Sequence, residues 1–275
     1  MTVGRADTVG LVNTSLDYVA HLATESARFG DAIASAPSEA PVPTCPDWTA
    51  DDLLWHLGWV QSWWAMIVRQ NLTGPEAREL IPDRPIDRPG LLEFYRQAGR
   101  DLAEGLRKVP ADTQAWTWSD DHTVRFIRRK QAHEALIHRV DAEVVAGDRT
   151  PMDPTLSADG VDEALRVMYS GVPGWGSFEP DPARTIRIHA TDTGDSWVVR
   201  LGRFTGTDRD GVSYDEPDFD VLLADSGEPT VALFSGTAAD LDCWLWHRPP
   251  YGEVSRSGDD RVLSAFEAVI APGIG

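Results

Sequence analysis

The chain has 275 residues, of which 42% are hydrophobic, and it carries a formal net charge of −19 at pH 7. This length suits two domains of ordinary size or one large one, and the apolar content is sufficient for a substantial core. So acidic a chain argues against nucleic acid and against an anionic membrane surface as partners. A local arginine can still attract a small anionic substrate.

Apolar residues recur at helical spacing in four segments of the N-terminal half. The second segment begins at Thr49, which has capping-box spacing to Asp52, and Gly147 follows the fourth as a plausible residue after a helix C-terminus. Loops separate these segments, and two of them are rich in proline. We therefore predict an antiparallel four-helix bundle with helices at about 8–34, 49–70, 90–108 and 123–146.

The pattern changes after residue 150, where short runs rich in β-branched and aromatic residues replace the long helical repeats. Strands are expected at 185–189, 196–201, 220–223 and 230–234, and helices at about 157–170, 238–246 and 260–270. The sequence thus predicts two domains, a helical one at 1–150 and a smaller α+β one at 151–275.

The fourth predicted helix carries polar residues on its apolar stripe. Glu134 and His138 are four residues apart and share one face, and Asp141 follows about one turn later. A helix that buries this stripe must pair these groups or bind a metal through them, because an isolated buried charge is costly. His56, on the inward face of the second predicted helix, is the expected third ligand.

Two histidines and one glutamate are the ligands of several catalytic zinc sites and also of the non-haem iron triad. Such a set leaves coordination positions for water, a thiolate or a substrate. A buried polar pair without metal is the alternative, with His56 as an ordinary core histidine. Asp141 is expected to orient a ligand imidazole by a hydrogen bond, or else to pair with Arg139.

Two further residues have both a functional and a simpler interpretation. Cys45 precedes the second helix, whose N-terminus can lower the pKa of a thiol, but the favoured interpretation is a small buried residue in the loop that anchors the helix start. Arg248 ends a predicted helix and is either a surface cation or a ligand for an anionic substrate. With two cysteines, no apolar leader and no run of 18 apolar residues, a cytoplasmic protein is expected.

Three motifs of the chain resemble those of the mycothiol-dependent maleylpyruvate isomerase family. They are PTCPDWT at 43–49 with LLWHLG at 53–58, EALIHRVDAE at 134–143, and GTAADL at 236–241 with LWHR at 245–248. They occur in the family's order along nearly the whole chain. One departure is His247, which stands where the family usually has a small residue, so the shape of the substrate pocket stays open.

The resemblance implies a DinB-like metal-binding four-helix bundle followed by an α+β domain similar to sterol-carrier folds. It implies zinc held by His56, Glu134 and His138, and mycothiol as the thiol cofactor. In the family, the thiolate adds to the cis double bond of maleylpyruvate, the carbon–carbon bond rotates, and the thiol leaves to give fumarylpyruvate. A basic residue of the C-terminal domain binds the substrate carboxylates, and Arg248 is the match in this chain.

The leading hypothesis is therefore a mycothiol-dependent, metal-assisted enzyme. It would isomerise a maleylpyruvate-like substrate or transfer the thiol to another small electrophile. A hydrolase that uses metal-bound water is one alternative, because the same scaffold can serve different chemistry. A non-enzymatic module that binds a small ligand is the other.

Overall fold

The computed structural model describes residues 16–72, 74, 80–223 and 227–274. They form two compact units, divided in the sequence between residues 151 and 152. The first is helical and the second combines helices with a mixed sheet, so the predicted fold class is confirmed. None of the described helices is long and apolar enough to span a bilayer.

The described part of the N-terminal unit contains four helices. They are α1 (Tyr18–Ser35), α2 (Ala50–Gln70), α3 (Arg88–Lys108) and α4 (Val124–Ala146). Helix α1 packs mainly on α4, and α2 packs mainly on α3. The part of the first predicted helix before residue 16 lies outside the described residues.

Side chains that accept hydrogen bonds from the first turn define where these helices begin. Thr49 and Asp52 form a complete capping box at the start of α2, in which each side chain bonds the backbone of the other residue. Gly147 ends α4 in the left-handed conformation, with a φ of 75° that glycine adopts without strain. The sequence signals at both helix ends are therefore confirmed.

A buried group of charged side chains joins α1, α4 and the residues after α4. Arg139 is fully buried, and its Nε and Nη1 donate to Glu25 and Glu143 at 2.8 Å each. The same Nη1 donates to the carbonyl of Thr150 at 2.9 Å. These contacts join α4 to α1 and to the residues after α4, and the alternative pairing of Arg139 with Asp141 stays a prediction.

The C-terminal unit is built on a five-stranded sheet with the order β3-β2-β1-β4-β5. Its strands are β1 (Gly176–Ala190), β2 (Ser196–Thr207), β3 (Ser213–Val221), β4 (Ala232–Gly236) and β5 (Ser255–Gly258). Strand β1 is antiparallel to β2 and parallel to β4. The described helices are α5 (Pro154–Glu163), α6 (Ala238–Leu245) and α7 (Asp260–Ile270), and a π-helical segment (Ala164–Tyr169) continues α5.

The strands differ from the prediction mainly in length. Strands β1, β2 and β3 extend through stretches rich in glycine, proline and aspartate, residues that disfavour strands in isolation. A Cβ at Gly202 would lie 2.3 Å from the carbonyl oxygen of Glu179, so the close approach of β1 and β2 requires glycine there. Strand β5 was not predicted because its four residues are exposed and show no apolar alternation.

The Arg139 group gives a prediction about stability. We expect Arg139→Met to lower the free energy of unfolding by about 3–5 kcal/mol, because Glu25 and Glu143 then lose their buried counter-ion and keep only the more exposed Arg28. Arg100→Met, which removes an exposed pair with Glu93, is the control and should cost at most about 1 kcal/mol. Urea unfolding followed by circular dichroism measures both, and equal losses in the two variants would contradict the prediction.

Candidate metal centre

Helices α2 and α4 bring together the three residues that the sequence singled out. His56 lies on α2, and Glu134 and His138 lie one turn apart on α4. Oε1 of Glu134 is 3.5 Å from Nε2 of His56 and 3.3 Å from Nε2 of His138. The three ligand atoms all lie within 4.8 Å of one another. Among the described residues, this is the group of His, Cys, Asp or Glu side chains that is close enough to hold a metal ion.

These separations fit a metal ion. Two ligand atoms bound about 2.0–2.1 Å from a tetrahedral zinc ion lie about 3.3–3.4 Å apart. The two measured separations from Glu134 agree with that edge, and the two imidazoles meet edge-on with ring centroids 4.8 Å apart. The donor set of two nitrogens and one oxygen also suits zinc or iron. The role of these residues as ligands stays a prediction.

A buried hydrogen-bond chain sets the orientation of the His138 ring. Asp141 is fully buried, and its Oδ2 lies 2.9 Å from Nδ1 of His138. A carboxylate can only accept, so Nδ1 carries a proton, and Nε2 is the ring nitrogen that faces Glu134 and His56. Thr44 Oγ1 donates to Oδ1 of Asp141 at 2.6 Å, which fixes the carboxylate from its other side.

The charges of the centre shift the pKa values of two of its groups. Burial opposes ionisation of Glu134, but the Lys130 ammonium and hydrogen bonds from His138 and His56 outweigh it and hold its pKa well below the usual range. Burial likewise opposes the charged form of His138, yet Asp141 and Glu134 raise its pKa above 6.5. In the metal-free protein the centre is therefore a carboxylate surrounded by proton donors.

Two neighbours of the centre are not evident from the sequence pattern. The Trp48 ring lies beside the His56 ring, with centroids 4.6 Å apart. Lys130 is buried, and its Nζ lies 3.0 Å from Oε2 of Glu134. The i, i+4 spacing of Lys130 and Glu134 was available as a signal, but the spacing alone does not reveal burial.

Cys45 and Arg248, the other candidates, are not members of this triad. Cys45 is a partly buried thiol of the loop before α2 and packs against the bundle core. In the C-terminal unit, Arg248 follows α6 and donates to the carbonyl of Trp246 at 2.6 Å. It lines a cavity of about 280 Å³ together with His247 and Glu267. Its role in substrate binding stays a prediction.

Comparison with known proteins gives a consistent result. Residues 19–143 match the family model of the mycothiol maleylpyruvate isomerase N-terminal domain, and residues 155–265 match the MDMPI C-terminal domain. Crystal structures of the mycothiol-dependent maleylpyruvate isomerase and of a histidine-to-alanine mutant share the fold, with TM-scores of 0.57 and 0.59 and identities of 10% and 11%. Each match covers 88% of this chain and 93% of the other. No curated protein matches the chain in sequence.

The hydrogen-bond chain from Thr44 gives a prediction about metal affinity. We expect Thr44→Val to weaken Zn²⁺ binding about 10-fold. Thr44 fixes the Asp141 carboxylate that orients His138, and loss of such outer partners typically changes metal affinity by about this order. Thr44→Ser keeps the hydroxyl and should bind like the wild type. Competition with a chromophoric chelator measures both dissociation constants, and equal constants for the valine variant and the wild type would refute a role for Thr44.

Proposed function

We propose that this chain, which belongs to the mycothiol maleylpyruvate isomerase family, is a mycothiol-dependent enzyme whose bundle holds a divalent metal, with zinc as the expected ion. The substrate class is a small anionic electrophile. With a maleylpyruvate-like cis-enedioate, the reaction is thiol addition followed by elimination; with other electrophiles, it is thiol transfer. The cytoplasmic location inferred from the sequence stays a prediction.

The observation that carries the proposal is the meeting of three donor atoms from α2 and α4. His56, Glu134 and His138 would hold the ion, with separations of 3.3 and 3.5 Å that agree with zinc geometry. A bound zinc ion supplies Lewis acidity, which keeps a coordinated thiol deprotonated at neutral pH. Three protein ligands leave a position for that thiol.

Two side chains of the bundle, Asp141 and Trp48, support this role of the triad. Asp141 holds the proton of His138 on Nδ1, so that Nε2 is ready to bind without a change of tautomer. Trp48 packs against the His56 ring, with ring centroids 4.6 Å apart, and so restricts the movement of this ligand. In the C-terminal unit, Arg248 is the candidate for the cation that binds a substrate carboxylate. Its position at the wall of a cavity supports this role.

The metal content of the purified chain tests the proposal first. We expect about one zinc per chain by inductively coupled plasma mass spectrometry, in line with a single three-ligand site. His56→Ala should lose the metal and Glu134→Gln should bind it more weakly, while His21→Ala on α1 should retain it.

Activity assays complete that test. Isomerisation of maleylpyruvate should require both zinc and mycothiol, and thiol transfer is to be assayed with other electrophiles. A metal-free wild type, even after incubation with zinc, would refute the proposal. Metal-dependent turnover that is unchanged without mycothiol would instead indicate a hydrolase.

The assignment of Arg248 gives a separate prediction about the substrate. We expect Arg248→Met to raise the KM of an anionic electrophile at least about 10-fold, the order of one lost charge-assisted contact. The KM for mycothiol and the zinc content should be unchanged. Arg203→Met, which alters an exposed pair with Asp215, is the control. An unchanged KM in the Arg248 variant would remove this residue from the site.

A further inference from the structure

Lys130 is a buried ammonium beside the candidate metal centre. It lies on α4 one turn before Glu134 and is only 6% exposed. Lysines are rarely buried unless they are paired. The chain has one other lysine, Lys108, which forms an i, i+4 pair in the reverse order with Glu104 on the surface of α3. Two pairs of identical chemistry and spacing thus occupy opposite environments.

The two oxygens of Glu134 face different partners. Oε1 is directed at Nε2 of both His56 and His138, whereas Oε2 lies 3.0 Å from Nζ of Lys130. The ammonium attracts the carboxylate in a buried site, where solvent screens the two charges little, and so favours this orientation. Rotation of the carboxylate to present both oxygens to the histidines would break that contact.

We propose that Lys130 is a positioning residue that holds Oε2 of Glu134, so that this ligand coordinates the metal through Oε1 alone. The inference rests on the proposed metal-dependent function. Its consequence is a coordination position, since zinc accommodates four ligands and five at most during catalysis. A carboxylate bound through both oxygens would occupy the position that a thiolate or a substrate needs.

The charge of Lys130 supports the same role. The ammonium lies 3.0 Å from Oε2 of Glu134 and so compensates the charge of a buried ligand. It also adds a positive charge beside the centre, in a chain whose net charge of −19 otherwise repels anions. Both effects favour the binding of a thiolate and an anionic substrate at this centre.

A cobalt titration of the full chain tests this inference. Co²⁺ substitutes for zinc, and its visible absorption weakens as the coordination number rises. We expect Lys130→Met to bind Co²⁺ at least as tightly but with a less intense spectrum, because the second oxygen of Glu134 is then free to reach the ion. Lys130→Arg, which keeps a cationic donor, should resemble the wild type. Lys108→Met removes the same charge from the surface and should change neither property.

The outcomes separate the inference from the proposed function. A wild type that binds no Co²⁺ refutes the metal centre and, with it, the role of Lys130. A wild type that binds, together with a Lys130→Met variant of equal affinity and identical spectrum, overturns the inference and leaves the function intact. Infrared difference spectra of zinc-loaded minus zinc-free wild type need no variant. A carboxylate band of the two-oxygen type would also overturn it.

Discussion

Helix α4 lies inside the bundle although it carries a dense set of charged and polar side chains, and most of its residues are buried. Each buried charge therefore needs a partner of opposite sign or a strong hydrogen bond. Arg139 finds carboxylates on α1 and α4, and Asp141 finds His138 and Thr44. The structure of the N-terminal unit depends on meeting this requirement at every turn of α4.

The candidate centre is part of that pattern. Glu134 contacts two imidazoles on one side and Lys130 on the other, so all its neighbours favour the ionised form. The resulting arrangement compensates the buried charge without a metal and also brings three atoms of metal-ligating type within 4.8 Å of one another. The pairing that compensates a buried charge thus also brings the candidate ligands together.

Helical periodicity was sufficient to predict the bundle and to place Glu134 and His138 on one face, because both facts follow from local spacing. The contact of Thr44 with Asp141 could not be predicted in this way, since 97 residues separate them. Strand β5 was not predicted, because its exposed residues show no apolar pattern. The division into domains at 1–150 and 151–275 and the roles of the site residues stay predictions.

The two parts of the centre differ in how they are tied to the fold. Lys130, Glu134 and His138 occupy successive turns of one helix, so the helical rise alone fixes their spacing. His56 comes from α2, and its distance to the others depends on how two helices pack. When the bundle loosens, the α4 residues remain in register while His56 departs. A metal site built on these residues would therefore lose His56 first, and Glu134 and His138 would keep only weak, exchangeable binding.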